Sequence, residues 1–133
     1  MKLNTITAFL ASVLLAVATL ATAGTIQTVT VKQIAALQSR GVLLLDVREL
    51  DEYEELRAPG STLIPLGQLQ QRLSEIEDYK KLKVAVICRS GNRSAQAIKL
   101  LEGAGFSGAV NVEGGMNAWQ KAGLPVLSGK AAR

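Results

Sequence analysis

The chain has no histidine among its 133 residues. That absence removes His-based triads, imidazole general bases and most zinc sites from the chemistry open to it. It has a single cysteine, Cys88, so no disulfide can form within the chain. Charge is nearly missing at the start, where Lys2 is the only charged side chain before Lys32. Aromatics are scarce, at 4%, and none is interleaved in the only basic cluster, Lys80, Lys81 and Lys83. The cluster therefore reads as a solvated turn before a strand, and nucleic acid is not an expected partner. The rest of the +4 net charge is spread along the chain. There is no internal repeat and no low-complexity segment.

The charge-poor start has a shape of its own. Ala8–Leu20 is apolar apart from Ser12 and Thr19, and Ala21-Thr22-Ala23 supplies small residues in an A-x-A exit. A short basic start, an apolar middle and a small-residue exit are the parts of a secretory signal, with cleavage expected after Ala23. The competing reading is an uncleaved membrane anchor, since about 20 apolar residues span a bilayer. The polar stretch from Thr22 to Thr30 favours the signal. The only cysteine lies far downstream, which argues against a lipoprotein anchor. The expected mature chain, 24–133, is one domain with its core over about 28–127, placed in the periplasm or secreted. Exported proteins usually pair their cysteines, so a lone exported thiol is either buried and inert or reactive.

Past this segment helices and strands alternate. Thr30 can cap a helix over Val31–Gln38, with Gly41 beyond its end. Val42–Asp46 is an apolar run suited to a strand covered on both faces. Leu50–Leu56 reads as a short acidic helix, and Pro59-Gly60 as a turn. A short strand is expected at Thr62–Ile64, then a helix over Leu66–Ile76 with Leu66, Leu69, Leu73 and Ile76 on one face. Lys83–Ile87 is a second strong strand, Ser94–Glu102 a helix, Ala109–Val112 a third buried strand and Met116–Lys121 a last helix after Gly114-Gly115. This order implies an α/β fold, a mostly parallel sheet with helices on both faces. Ligands bind such sheets at the carboxyl ends of the strands. Cys88, the segment Asp46-Val47-Arg48 and Glu113 all fall at such ends.

Cys88 opens the run CRSGNRS, between a strand and a helix. A thiol attacks as its thiolate, and without histidine something else must lower its pKa. Backbone N–H groups of residues 89–94 can curl around the sulfur, with Gly91 allowing the backbone angles this needs. The following helix points its positive end at the same place. Arg89 and Arg93 add charge for an oxyanion. The plainer alternative is that Cys88 is the last buried residue of a strand, but a strand end does not call for two arginines before a helix start. The loop Arg89, Ser90, Gly91, Asn92, Arg93 and Ser94 is thus a candidate anion-binding thiol loop.

Four segments carry a family resemblance: LLLDVREL with the acidic helix after it (Leu43–Tyr53), APGSTLIPL (Ala58–Leu66), VAVICRSGNRSAQAIKLLEGAGF (Val84–Phe106) and VNVEGGMNAWQKAGLPV (Val110–Val126). In this order and spacing the chain resembles a single-domain rhodanese. The resemblance implies a rhodanese-like fold, and Cys88 as a nucleophile that takes a sulfane sulfur from a donor such as thiosulfate, holds it as a persulfide and passes it to cyanide or a thiol. It implies no cofactor and no metal. Its partners are a small anionic donor, a thiol or cyanide acceptor and, in one version, a protein acceptor; a membrane enters only through an uncleaved leader. Arg89 and Arg93 are the candidates for orienting the donor, with the alternative that Arg93 pairs with an acidic side chain. Asp46 and Arg48 resemble the family's aspartate–arginine pair beside the loop; Asp46 is expected to be structural, and Arg48 is open between structure and catalysis. Trp119 is expected to pack in the core and Glu113 to cap the last helix. Arg57 and Ala58 stand where many relatives carry histidine and isoleucine, a departure at a position that is usually structural.

Two other functions compete. A phosphatase or arsenate reductase of this fold would need C-x5-R, whereas Cys88 and Arg93 give C-x4-R, a shorter loop better suited to one sulfur atom than to a tetrahedral phosphate. A persulfide carrier that hands sulfur to a protein partner would have the same sequence features.

Overall fold

The computed structural model describes residues 24–132. The expected signal segment and its cleavage site fall on residues 1–23, outside the described residues. Eleven elements follow one another: β1 (Thr28–Val29), α1 (Val31–Gln38), β2 (Leu43–Asp46), α2 (Leu50–Glu55), β3 (Thr62–Leu63), α3 (Leu66–Leu69), a 3-10 segment (Gln70–Tyr79), β4 (Lys83–Ile87), α4 (Asn92–Gly103), β5 (Gly108–Val112) and α5 (Gly115–Lys121). The five strands form one sheet in the order β1-β5-β4-β2-β3, and every pairing is parallel.

Side-chain alternation along the strands sorts the core into two layers. Leu43, Leu45, Val47, Val84, Val86 and Cys88 face one layer, filled by Leu69, Ile76, Ala97, Ile98 and Leu101. Leu44, Ala85, Ile87, Val110 and Val112 face the other, filled by Val31, Ile34, Met116 and Trp119. Cys88 continues the Val84–Val86 register, so its side chain leaves the sheet on the side covered by α4. From β2 the chain steps outward to β3, then returns to lay β4 on the opposite side of β2 and β5 beyond it. The connections diverge between β2 and β4, and a crevice opens there at the strands' carboxyl ends.

Local chemistry explains most boundaries. The Thr30 hydroxyl accepts from the Gln33 N–H at 3.1 Å, and the Gln33 side chain accepts from the Thr30 N–H at 2.9 Å. Together they form a capping box that starts α1. The expected helix over Leu66–Ile76 is a correction. Only Leu66–Leu69 is α-helical; the chain continues as 3-10 turns, interrupted at Ile76, where φ is −122°. Spacings of three and four between apolar residues fit a period of 3.0 as well as 3.6 over so few turns. Arg57 and Ala58 do structural work. Ala58 is buried, and Arg57 forms a backbone bridge to Leu127 while its guanidinium stacks 5.0 Å from the Tyr53 ring centroid. Trp119 is buried in the core with its Nε1–H donating to the Pro125 carbonyl at 2.8 Å.

Candidate active site

The loop after β4 turns the chain back over its own strand end. Gly91 sits at φ +116°, a conformation L side chains rarely adopt. The turn brings the Gly91 N–H to 3.1 Å from Cys88 Sγ. Helix α4 then begins at Asn92, two residues before the expected start, and its first turn delivers the Ser94 hydroxyl to 3.3 Å from the same sulfur. Cys88 is 1% exposed and Ser94 fully buried.

Burial pushes the Cys88 thiol up. The Ser94 hydroxyl and the N–H groups of Ser94, Gly91 and Ser90 act against it and hold the thiol below its ordinary 9.0. The shift is therefore made by hydrogen bonds to the charged form, with no cation bonded to the sulfur among the described residues. Of the expected amide cradle, the Gly91 N–H is the member within hydrogen-bond distance of the sulfur.

Helix α5 docks against the loop from the other side. Gly114 and Gly115 both take positive φ, and a Cβ on Gly115 would overlap the carbonyls of Cys88 and Arg89. Their absence lets the Met116 N–H reach the Cys88 carbonyl at 2.8 Å and the Asn117 N–H reach the Arg89 carbonyl at 3.0 Å. Glu113 does not cap α5. Its side chain is exposed and the cap position is Gly114, with no side-chain bond; a glycine pair that needs close approach leaves no role for a carboxylate there.

The two acid–arginine pairs beside the loop differ in burial. Asp46 and Arg48 lie at the end of β2, both buried. The Arg48 guanidinium donates to Asp46 through Nε at 3.0 and 3.1 Å and through Nη2 at 2.7 Å. It also reaches the carbonyls of Glu52 and Leu56 at 3.3 and 2.7 Å. The pair ties β2 to the end of α2, which gives Arg48 a structural role. Arg93 grips Glu52 with two bonds, at 2.6 and 2.8 Å, and makes no hydrogen bond to the sulfur. The Arg93 bond holds the Glu52 carboxyl down at about 2 against the opposing effect of burial. Of the two arginines expected to orient a donor, Arg93 takes the acid-paired alternative. Arg89 makes no ion pair among the described residues. It lines a cavity of about 230 Å³ together with Arg48, Glu52, Glu55, Met116 and Asn117.

Sequence reasoning missed two participants. Glu52 was visible only as part of an acidic helix. Asn111 was hidden inside an apolar strand; its side chain accepts from the Ser94 hydroxyl at 2.7 Å and donates to the Gly91 carbonyl at 3.2 Å. A polar residue in a buried strand needs such partners, and that was the available signal.

Comparison with known proteins agrees with this geometry. A family model described as the rhodanese-like domain matches residues 30–122. A sulfurtransferase of Allochromatium vinosum is 37% identical over 87 residues, 65% of this chain and 79% of that protein. YrkF of Bacillus subtilis, named as a candidate sulfur carrier protein, is 40% identical over 76 residues, 57% of this chain but only 40% of its own length. Among solved structures, a rhodanese-related protein of Thermoplasma volcanium superposes with a TM-score of 0.68 at 33% identity, covering 76% of this chain and 97% of that one. With the family match spanning most of the chain and the cysteine loop at the sheet's switch point, the chain belongs to the rhodanese-like domain family.

Proposed function

We propose that the protein is a sulfurtransferase in which Cys88 carries the transferred sulfur. The thiolate attacks the outer sulfur of an anionic donor such as thiosulfate. A new bond forms between Sγ and that sulfur as the donor's S–S bond breaks, and sulfite departs with the electron pair. The negative charge then rests on the outer sulfur of a persulfide, over the loop N–H groups. Cyanide or a thiolate acceptor attacks that outer sulfur and returns Cys88 as the thiolate. No general base is needed, because the nucleophile is already acidified.

The observation that carries this reading is the sulfur's surroundings, two hydrogen-bonding groups within 3.3 Å and, among the described residues, no carboxylate bonded to it. The arginine that a phosphatase would turn onto phosphate is taken by Glu52, which speaks against the phosphatase alternative. Arg89 is the loop cation left to meet an anionic donor.

Intact mass after thiosulfate treatment tests the proposal. A gain of one sulfur atom is expected, reversed by cyanide and lost in Cys88→Ala. An unchanged mass across several sulfane-sulfur donors would refute it. The likeness to YrkF keeps a second version in view, in which the acceptor is a protein; such a carrier would load once and turn over poorly with small acceptors. The proposal includes export, with the leader removed after Ala23. A full-length N-terminus on exported protein would remove that part alone.

A further inference from the structure

Asn111 is the next-to-last residue of β5, paired in register with Val86 on one side and Thr28 on the other. Its amide bridges two parts of the thiol loop, accepting from the Ser94 hydroxyl and donating to the Gly91 carbonyl. The Ser94 hydroxyl has one hydrogen, and at 2.7 Å from Oδ1 that hydrogen is on Asn111. The contact between Ser94 Oγ and Cys88 Sγ at 3.3 Å then has only the thiol's hydrogen to use. The three side chains form a directed chain, Cys88 S–H to Ser94 O–H to Asn111 Oδ1, and this is the arrangement of a neutral thiol. A thiolate has no hydrogen to give. For the same contact to hold, the Ser94 hydrogen must turn from Asn111 to the sulfur.

We propose that Asn111 is a positioning residue that holds the Ser94 hydrogen while Cys88 is protonated or persulfidated and gives it up to the Cys88 thiolate. The inference rests on the reading of Cys88 as the reacting nucleophile. Its consequence is a competition for one hydrogen. The Asn111 oxygen favours the neutral thiol, so Asn111 tempers the acidity that the loop amides create. After sulfur transfer the charge moves to the outer sulfur, and the Ser94 hydrogen returns to Asn111. The charged groups around the sulfur are unchanged in this cycle: Arg89 in the loop, Arg93 of α4 bound to Glu52 of α2, and the Asp46–Arg48 pair at the end of β2. Helix α5 brings Gly115 and Met116 against the loop, neither of them charged.

The test is the pH dependence of Cys88 alkylation by iodoacetamide, followed by mass on the full chain. The set is the wild type, Asn111→Val, Ser94→Ala and the double variant. Valine suits a strand and offers no acceptor. Relative to its effect in the Ser94→Ala background, Asn111→Val is expected to lower the alkylation midpoint by about half to one pH unit when Ser94 is present. The loss of the Gly91 bond acts in both backgrounds and cancels. Equal shifts in the two backgrounds, or a coupling of opposite sign, would overturn the proposal. Thermal unfolding checks each variant, and Asn111→Ala replaces Asn111→Val if the latter does not fold. Alkylation needs no sulfur donor, so its outcome stands apart from the persulfide test.

Discussion

The carboxyl ends of β2 and β4 lie side by side, Asp46 paired in register with Ile87, and they handle negative charge in opposite ways. At the end of β2 the Asp46 carboxylate is saturated by the Arg48 N–H and guanidinium and sealed from water. At the end of β4 the sulfur one residue further on meets a backbone N–H and a hydroxyl but no cation. A carboxylate compensated by a full charge is fixed as scaffold. A thiol whose hydrogen bonds come from a hydroxyl and a backbone amide can ionise and still keep electron density to share. On the proposed function, the same sheet edge builds an inert anchor and a reactive centre a strand apart, and the difference lies in what each anion is given as a partner.

Breaking the anchor should have the largest effect. Asp46→Ala leaves the Arg48 guanidinium buried without its counter-charge, and the expected cost is about 3 to 5 kcal/mol. Urea unfolding measures it; a loss under 1 kcal/mol would mean that water or another acid replaces Asp46 at no cost. A smaller effect is expected at the half-exposed pair that bridges α2 and α4. Glu52 falls from its ordinary 4.5 to about 2 on folding, so its contribution is complete above 4.5 and is lost as the pH drops toward 2. Glu52→Gln should therefore cost about 1 to 2 kcal/mol at pH 6, after allowance for solvent screening, and much less at pH 2.5. A cost independent of pH would show that Arg93 is held by something other than the carboxylate's charge. The smallest effect belongs to the cation at the mouth of the reactive centre. Arg89→Gln is expected to raise KM for thiosulfate about fivefold, with kcat changed less than twofold, because it weakens approach rather than the sulfur's own contacts. An equal fall in kcat would place Arg89 in the transition state instead.

Much of this architecture was legible in the sequence where strong patterns ran for a full element. The β4 strand lies at Lys83–Ile87 as read, and α1 starts at the Thr30 cap. Cys88 at the end of a continuous apolar run fixed both the strand and the turn after it. Short elements escaped. β1 is two residues long and pairs with β5, too little for any periodicity to mark. The partners of the arginines escaped for a different reason. Glu52 and Arg93 are 41 positions apart, and only the folding of the segments after β2 and β4 to the same end of the sheet brings them together. Asn111 and Ser94 meet through the packing of α4 against β5, which no local window contains.

The edges of the sheet carry one more consequence. Both outer strands, β1 and β3, are two residues long, so each offers a second chain only a stub of backbone to bind. Strand addition, the common way for a sheet to recruit a peptide, has little to work with here. A protein that exchanged sulfur with this one would then have to reach the thiol from the loops above the strand ends, where its crevice opens. Docking and delivery would share one surface.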